Sequence, residues 1–149
     1  MNNLLDQDDM NKPATNADIA RTEEALGKKL PPDFIQFLKI ANGGYVNVTH
    51  QAFRVDFPIE SGDDFIAVEE LMGASEEGLM QSDYFTQEWD LPKQLVLFSG
   101  SGHAWIGFNY ENREIPNIVY VEPDDGNGNN FHVLADTFTE FIGKLTTSE

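Results

Sequence analysis

The chain has 149 residues, with 9 Lys and Arg against 26 Asp and Glu, and its formal net charge is −17. This length fits one domain with one core, and the absence of cysteine excludes disulfides, thiolate metal sites and a cysteine nucleophile. A charge this negative repels phosphate, so we expect no direct binding to nucleic acid or to anionic membranes, whereas a basic protein would be attracted.

The opening of the chain favours a cytoplasmic protein. It has no basic stretch followed by an apolar run of signal-peptide length, and no later segment approaches the roughly 20 apolar residues of a membrane helix. Residues 1–14 are polar, and we predict that they form a flexible lead-in. A single domain is expected over residues 15–149.

Two helices are predicted after the lead-in. Thr15 or Asn16 can cap the first helix, an apolar face follows, and Gly27 supplies its end. The pair Pro31-Pro32 suits the start of the second helix, and the run Asn42-Gly43-Gly44 suits its end. The first third of the chain is therefore predicted to be a helical hairpin that leads into a sheet.

The spacing of apolar residues then changes to a period of two. Residues 45–48 and 53–57 alternate as half-buried strands do. A middle helix is predicted around residues 68–72, extending towards Tyr84.

The second half of the chain is predicted to be a strand meander that ends in a helix. Residues 95–98 are continuously apolar, which is typical of a central strand, and residues 103–110 alternate. Residues 118–121 and 131–134 are further strands, and Asp136 caps the last helix. The whole pattern predicts the α+β class, with a mainly antiparallel twisted sheet on which the N-terminal hairpin, the middle helix and the C-terminal helix pack.

The loop Gly100-Ser101-Gly102 resembles a catalytic or phosphate-binding loop at first sight. It lacks the third glycine of a dinucleotide loop, the Lys of a P-loop and the first Gly of a nucleophile elbow. A tight hairpin is the favoured interpretation. A triad assembled in space from Ser101 and His103 is the minor alternative.

The run Asp125-Gly126-Asn127-Gly128-Asn129 shares part of the calcium-loop pattern. Asn130 stands where the turn needs Gly, and Asp136 stands where a bidentate Glu is needed, so a hairpin tip is favoured over a metal site. The three histidines show no ligand spacing. We therefore predict no catalytic residue, no metal and no cofactor.

Two long intervals of the chain contain acids without any base. The interval between Arg54 and Lys93 carries eleven Asp and Glu, together with aromatic residues, and the interval between Arg113 and Lys144 carries six more. An acidic rim around aromatic anchors is a typical interface design, and we favour it over acids that serve solubility alone. The residues predicted to contact a partner are Asp63, Asp64, Glu69, Glu70, Glu76, Glu77, Asp83, Tyr84 and Trp89.

Several short motifs follow one another between about Thr15 and Leu145. They are Leu26-Gly27, Leu30-Pro31-Pro32-Asp33-Phe34, Phe37-Leu38, Asn42-Gly43-Gly44, the run 102–110 and the run 138–142. The first four resemble the opening of the SUKH superfamily, and the last two are similar to its central strand and its closing helix. Members of this superfamily include bacterial immunity proteins and a fungal cell-wall assembly regulator.

The resemblance implies an α+β domain with no shared catalytic residues. Bacterial members typically bind and neutralise a protein toxin, often a nuclease, and such toxins are commonly basic. It therefore implies a cytoplasmic immunity protein, with a regulatory or scaffold module as the alternative. A hydrolase using a metal at the glycine-asparagine loop is a third hypothesis. The motifs are structural, so the resemblance assigns no functional residue.

Overall fold

The computed structural model describes residues 4–7, 11–100, 104–124 and 128–148. Its helices are α1 (Asn16–Leu26), α2 (Pro32–Ile40), α3 (Ser82–Glu88) and α4 (Phe138–Gly143). Its strands are β1 (Gly44–Tyr45), β2 (Ala52–Arg54), β3 (Phe65–Ala67), β4 (Glu70–Leu71), β5 (Leu95–Gly100), β6 (Trp105–Asn109), β7 (Asn117–Asp124), β8 (Gly128–Ala135) and β9 (Leu145–Thr146). This order confirms the predicted α+β class, with an N-terminal helical hairpin, a middle helix and a C-terminal helix.

The first helix begins with a reciprocal pair of hydrogen bonds. The Asp18 backbone N–H donates to Thr15 Oγ1 at 3.0 Å, and the Thr15 backbone N–H donates to Asp18 Oδ2 at 2.9 Å. Thr15 is thus the cap, and Gly27, with φ of 69°, ends the helix as predicted. The hydrogen bond from the Thr15 backbone lowers the pKa of Asp18, and Arg21 adds to the effect.

The second helix starts at Pro32, as predicted, and its end is tied to the middle of the chain. The Asn42 side chain accepts from the Ala74 backbone N–H at 2.6 Å and donates to the Ala74 carbonyl at 3.2 Å. Gly43 has φ of 78°, and a Cβ there would lie 2.5 Å from the Leu71 carbonyl oxygen. Glycine is therefore required at position 43 for both conformation and space.

All strand pairings in the described residues are antiparallel. The largest sheet has four strands in the order β5-β6-β7-β8, a second has the order β3-β2-β9, and β1 pairs with β4. Consecutive strands of the largest sheet are neighbours, which is the meander that the alternating sequence predicts.

Phenylalanines from α2, β5, β6 and α4 meet in the main core. The Phe34 ring centroid lies 4.9 Å from Phe108 and 4.8 Å from Phe138, and Phe98 lies 4.6 Å from Phe108. Each of these side chains is at most 1 % exposed. Aromatic side chains bury more apolar area than other residues, so this cluster holds the helices to one face of the four-stranded sheet.

The opposite face of the same sheet is covered by α3. Phe85 of this helix lies 4.7 Å from Trp105 of β6, and Ser82 Oγ accepts from the Leu97 backbone N–H at 2.9 Å. β5 is therefore buried on both faces although it lies at one end of the sheet, so its prediction as a central strand is wrong. Continuous apolar sequence reports burial on two faces, and here a helix supplies the second one.

The middle helix lies further along the chain than predicted. Residues 70–71 form β4, and the helix begins at Ser82. The backbone explains the difference, because the Val46 N–H donates to the Glu69 carbonyl and the Met72 N–H donates to the Phe98 carbonyl, both at 2.8 Å. These long-range hydrogen bonds satisfy backbone N–H and C=O groups of the segment in an extended conformation, so it forms a strand and not a helix.

Two smaller boundaries also differ from prediction. The strand expected at residues 45–48 ends early, since Asn47 caps a short 3₁₀ turn over Val48–His50. The last helix is capped by Thr137 rather than Asp136, because Thr137 Oγ1 accepts from the Glu140 backbone N–H at 3.1 Å.

The segment expected to be a lead-in contributes to the core. Leu4 and Leu5 are 2 % and 3 % exposed, and Leu5 forms an isolated antiparallel bridge with Val46. Further along, the Ala14 N–H donates to the Leu38 carbonyl at 2.8 Å. The described part of residues 1–14 is thus packed against the remainder of the fold.

Candidate partner-binding surface

The eleven acids between Arg54 and Lys93 are all exposed. They lie on three parts of the fold, namely the connection between β2 and β3, the strand β4, and the segment that leads into and through α3. The positions of these three parts decide which predicted residues share a surface.

The connection between β2 and β3 carries Asp56, Glu60, Asp63 and Asp64, which we call the hairpin acids. Asp64 forms an ion pair with Arg54, with 2.8 Å between Asp64 Oδ1 and Arg54 Nη1, so its charge is partly neutralised. All four residues are exposed, and the ion pair at Asp64 is itself open to solvent. The predicted residues Asp63 and Asp64 thus lie on one hairpin, but one of them is partly neutralised.

Glu122 of β7 anchors the hairpin acids to the four-stranded sheet. Its carboxylate accepts from the Glu60 backbone N–H at 2.9 Å and from the Tyr120 hydroxyl at 3.1 Å, and the residue is 4 % exposed. Burial raises the pKa of Tyr120, and the neighbouring Glu122 carboxylate adds to it. Glu122, an acid of the second base-free interval, is therefore a buried structural group rather than part of the exposed surface.

Glu69 and Glu70 lie beside an exposed aromatic residue that sequence reasoning missed. Tyr45 pairs with Glu70 across β1 and β4 and is 53 % exposed, and Val48 nearby in the chain is 71 % exposed. Tyr45 and Val48 line a groove of about 420 Å³ that also includes Asp6. The alternation of residues 45–48 could have predicted this exposure. Successive side chains of a strand point to opposite faces, so Tyr45 faces outward if Val46 is buried.

The third part carries the remaining predicted residues. Glu76 and Glu77 lie on a tight turn in which the Leu79 N–H donates to the Gly73 carbonyl at 2.9 Å, directly before the short turn that opens α3. Asp83 lies in the first turn of α3. All three side chains are exposed, and they lead to the aromatic residues of the same helix.

Both predicted aromatic anchors are exposed, but they differ in degree. Tyr84 is 62 % exposed and Trp89 is 38 % exposed, whereas Phe85 between them turns inward against Trp105. Tyr84 lies 5.5 Å from Phe85 in an edge-to-face arrangement. An exposed aromatic side chain that packs against a half-buried neighbour is a suitable anchor for a partner.

The predicted residues lie on three parts of the fold. Within the described ranges, no hydrogen bond or ring contact joins Tyr84 or Trp89 to the seven predicted acids. Carboxylates act over a Debye length of about 8 Å, so a shared field does not need such contacts. Joint binding by these nine residues stays a prediction.

The loops considered for catalysis or metal binding lie partly outside the described residues. Ser101 and His103 fall there, and so do Asp125 and Asn127. The flanking strands pair antiparallel up to Gly100↔Trp105 and Asp124↔Gly128. Across the described ranges, no group of three or more His, Asp or Glu is arranged to hold a metal.

Two of the histidines are described, and each has a local partner. The Thr49 hydroxyl and His50 Nδ1 are 2.7 Å apart, and the His132 ring stacks on Phe57 with centroids 3.8 Å apart. Among the helices of the described chain, none combines the length and apolar character that crossing a membrane requires.

Together these features define a small α+β domain with antiparallel sheets and a broad acidic surface. The chain belongs to the SMI1/KNR4 family (SUKH-1), whose family model matches residues 13–144. This confirms the resemblance noted in the sequence. Proteins of this family are generally immunity proteins of polymorphic toxin systems and are typically non-catalytic. A search of curated proteins finds no match to the chain.

Proposed function

We propose that this protein is an immunity protein that binds a bacterial toxin, a basic nuclease domain, through its acidic surface and neutralises it. The observation that carries the proposal is the set of eleven exposed acids in an interval without Lys or Arg. Family membership supports the same role, because immunity is the general function of this family.

The charge of the surface suits a nuclease in particular. A nuclease must hold phosphates, and proteins do so with Lys and Arg side chains. Carboxylates presented by a partner compete for the same cations, so a domain of charge −17 is drawn towards that surface. Binding there covers the substrate site, which accounts for neutralisation without any chemistry by the immunity protein.

Affinity and rate of encounter come from different side chains in this proposal. Exposed carboxylates such as Glu76 and Glu77 act at long range and mainly raise the association rate. Tyr84 and Trp89 are large exposed aromatics, so their burial in the complex mainly slows dissociation.

Co-expression with the toxin encoded by the adjacent gene is the direct test. We expect the host to survive when this protein is present and to die when it is absent. Killing that continues in the presence of well-expressed, folded protein would show that this pairing is wrong.

The association rate of variants at low salt tests the proposed surface. Replacing Glu76→Gln and Glu77→Gln together should slow association with the purified toxin by about 3- to 10-fold at low salt, because two carboxylates near the aromatics are lost. A matched control replaces Glu24→Gln and Glu111→Gln, two exposed acids outside the interval, and should change the rate by less than about 2-fold. Equal effects of the two pairs would mean that net charge alone matters.

A further inference from the structure

One edge of the four-stranded sheet is long and pairs with no further strand among the described residues. β8 spans Gly128–Ala135 and pairs with β7 on one side, and no other strand of the described chain lies on its outer side. Edge strands expose unpaired backbone N–H and C=O groups, which are ready to pair with another strand. Proteins normally protect such edges with Lys, Pro, other charged residues or a covering element.

β8 carries none of the protective side chains. Residues 128–135 read GNNFHVLA, without Lys, Arg, Asp, Glu or Pro, in a chain whose net charge is −17. Asp136 follows directly after the strand. The eight residues of β8 thus form an uncharged strand on the edge of a strongly charged molecule.

The same edge exposes apolar side chains next to the buried second face of the sheet. Phe131 pairs with Val121, and Val133 pairs with Val119, so each shares a face with its partner. Val119 and Val121 are fully buried, whereas Phe131 is 36 % exposed and Val133 is 56 % exposed. The apolar face therefore continues past the cover of α3 to the open edge.

We propose that β8 pairs antiparallel with β8 of a second copy of this chain, which joins two four-stranded sheets into one. Antiparallel pairing of identical strands has twofold symmetry, so each edge is its own complement. In a register centred on His132, Phe131 of one copy lies opposite Val133 of the other, on the same face. The same register places Asp136 opposite Gly128, so the acids that follow the strands do not face each other.

Charge identifies a second copy as the occupant. Two molecules of charge −17 repel each other over most of their surfaces, and they can approach closely where neither carries a charge. A cationic protein is drawn to the exposed acids of the interval 54–93 instead. The two kinds of association consequently depend on salt in opposite directions, which separates this proposal from the proposed function.

Sedimentation equilibrium tests the dimer without any partner. Strand-edge interfaces are small and weak, so the chain is measured from about 5 to 200 µM, at about 0.05 and 0.5 M NaCl. We expect a monomer–dimer equilibrium that shifts towards dimer at the higher salt. Val133→Lys should raise the dissociation constant at least about tenfold, because each Lys then lies opposite the apolar Phe131 of the other copy and about 7–8 Å diagonally from the other Lys.

A matched control places the same charge at a similar exposed apolar residue. Ile40, at the end of α2, is 57 % exposed, and Ile40→Lys should leave the dissociation constant unchanged. Hydrogen exchange of the wild-type chain needs no variant, and amides of residues 128–135 should exchange more slowly as concentration rises. A wild-type monomer at 200 µM and high salt, or equal effects of the two Lys variants, would overturn the proposal.

Discussion

Thr15 and Asp18 illustrate how far a local pattern specifies local structure. Their reciprocal hydrogen bonds satisfy two backbone N–H groups at the start of α1. The sequence predicted the start of the helix and the acid in its first turn, because both depend on neighbours within a few residues. It left the choice between Thr15 and Asn16 open, since either side chain can cap a helix.

The lowered pKa of Asp18 predicts a pH dependence. A carboxyl whose folded pKa lies below its ordinary value stabilises the fold above that ordinary value, 3.8, and loses this contribution as pH falls through the folded pKa. Asp18→Asn should therefore destabilise the protein at pH 7, and its difference from wild type should shrink below pH 3.8. Urea unfolding at a series of pH values measures this.

The reciprocal hydrogen bonds of Thr15 and Asp18 also offer a control variant, which removes one hydrogen bond and leaves the Asp18 carboxyl in place. Thr15→Ala should cost about 1 kcal/mol at pH 7, and Thr15→Ser should cost little, because serine keeps the accepting hydroxyl. A difference between Asp18→Asn and wild type that stays constant down to pH 2 would show that the charge of Asp18 plays no part.

Glu122 shows what a residue-level pattern cannot reveal. Its sequence neighbours suggest another exposed acid, yet it is buried between the Glu60 backbone and the Tyr120 hydroxyl. Its partner Glu60 is 62 residues away along the chain, so no local spacing encodes the contact. The exposure of the eleven acids was easier to predict, because unpaired charges are rarely buried.

At the scale of elements, the spacing of apolar residues and the lengths of the apolar runs predicted most of the fold. Helices with clear caps and strands with alternating residues were predicted close to their observed positions. The segment of residues 68–82 was predicted wrongly. Its strand β4 forms because of backbone hydrogen bonds to the β1 region and to Phe98, and its own strand propensity does not account for it. Long-range pairing of this kind overrides local preference in short elements.

The hydrogen bond between Ser82 and Leu97 attaches α3 to the four-stranded sheet, and its contribution to stability can be measured. Ser82 is 1 % exposed and accepts from the Leu97 backbone N–H, so Ser82→Ala leaves a buried donor without its acceptor. We expect a loss of about 1–3 kcal/mol in the free energy of unfolding, measured in urea. Gln81→Ala, one residue earlier and exposed, should change it by less than about 0.5 kcal/mol. Similar losses in both variants would mean that the hydrogen bond is not what holds α3.

At the scale of the whole molecule, the excess of acids opposes folding while it favours binding. Four ion pairs are described, three of them within or beside α1 and α4 and the fourth at Arg54, so most carboxylates in the described part of the chain lie outside these pairs. Self-repulsion destabilises a compact state of high net charge. A surface kept in spite of that cost is better explained by a partner than by solubility, which fewer acids would serve equally well.

This opposition predicts that one pair of substitutions improves stability and impairs binding. Glu76→Gln with Glu77→Gln should raise the midpoint of thermal unfolding by about 1 °C at low salt, because repulsion among exposed acids is relieved, and the gain should vanish at high salt. The same variant should bind the toxin more slowly, because two carboxylates near the exposed aromatics are lost. If the acids served solubility alone, the gain in stability would come without any loss of binding. Calorimetry of the free protein and association kinetics at matched salt, with Glu24→Gln and Glu111→Gln as the equal-charge control, distinguish the two explanations.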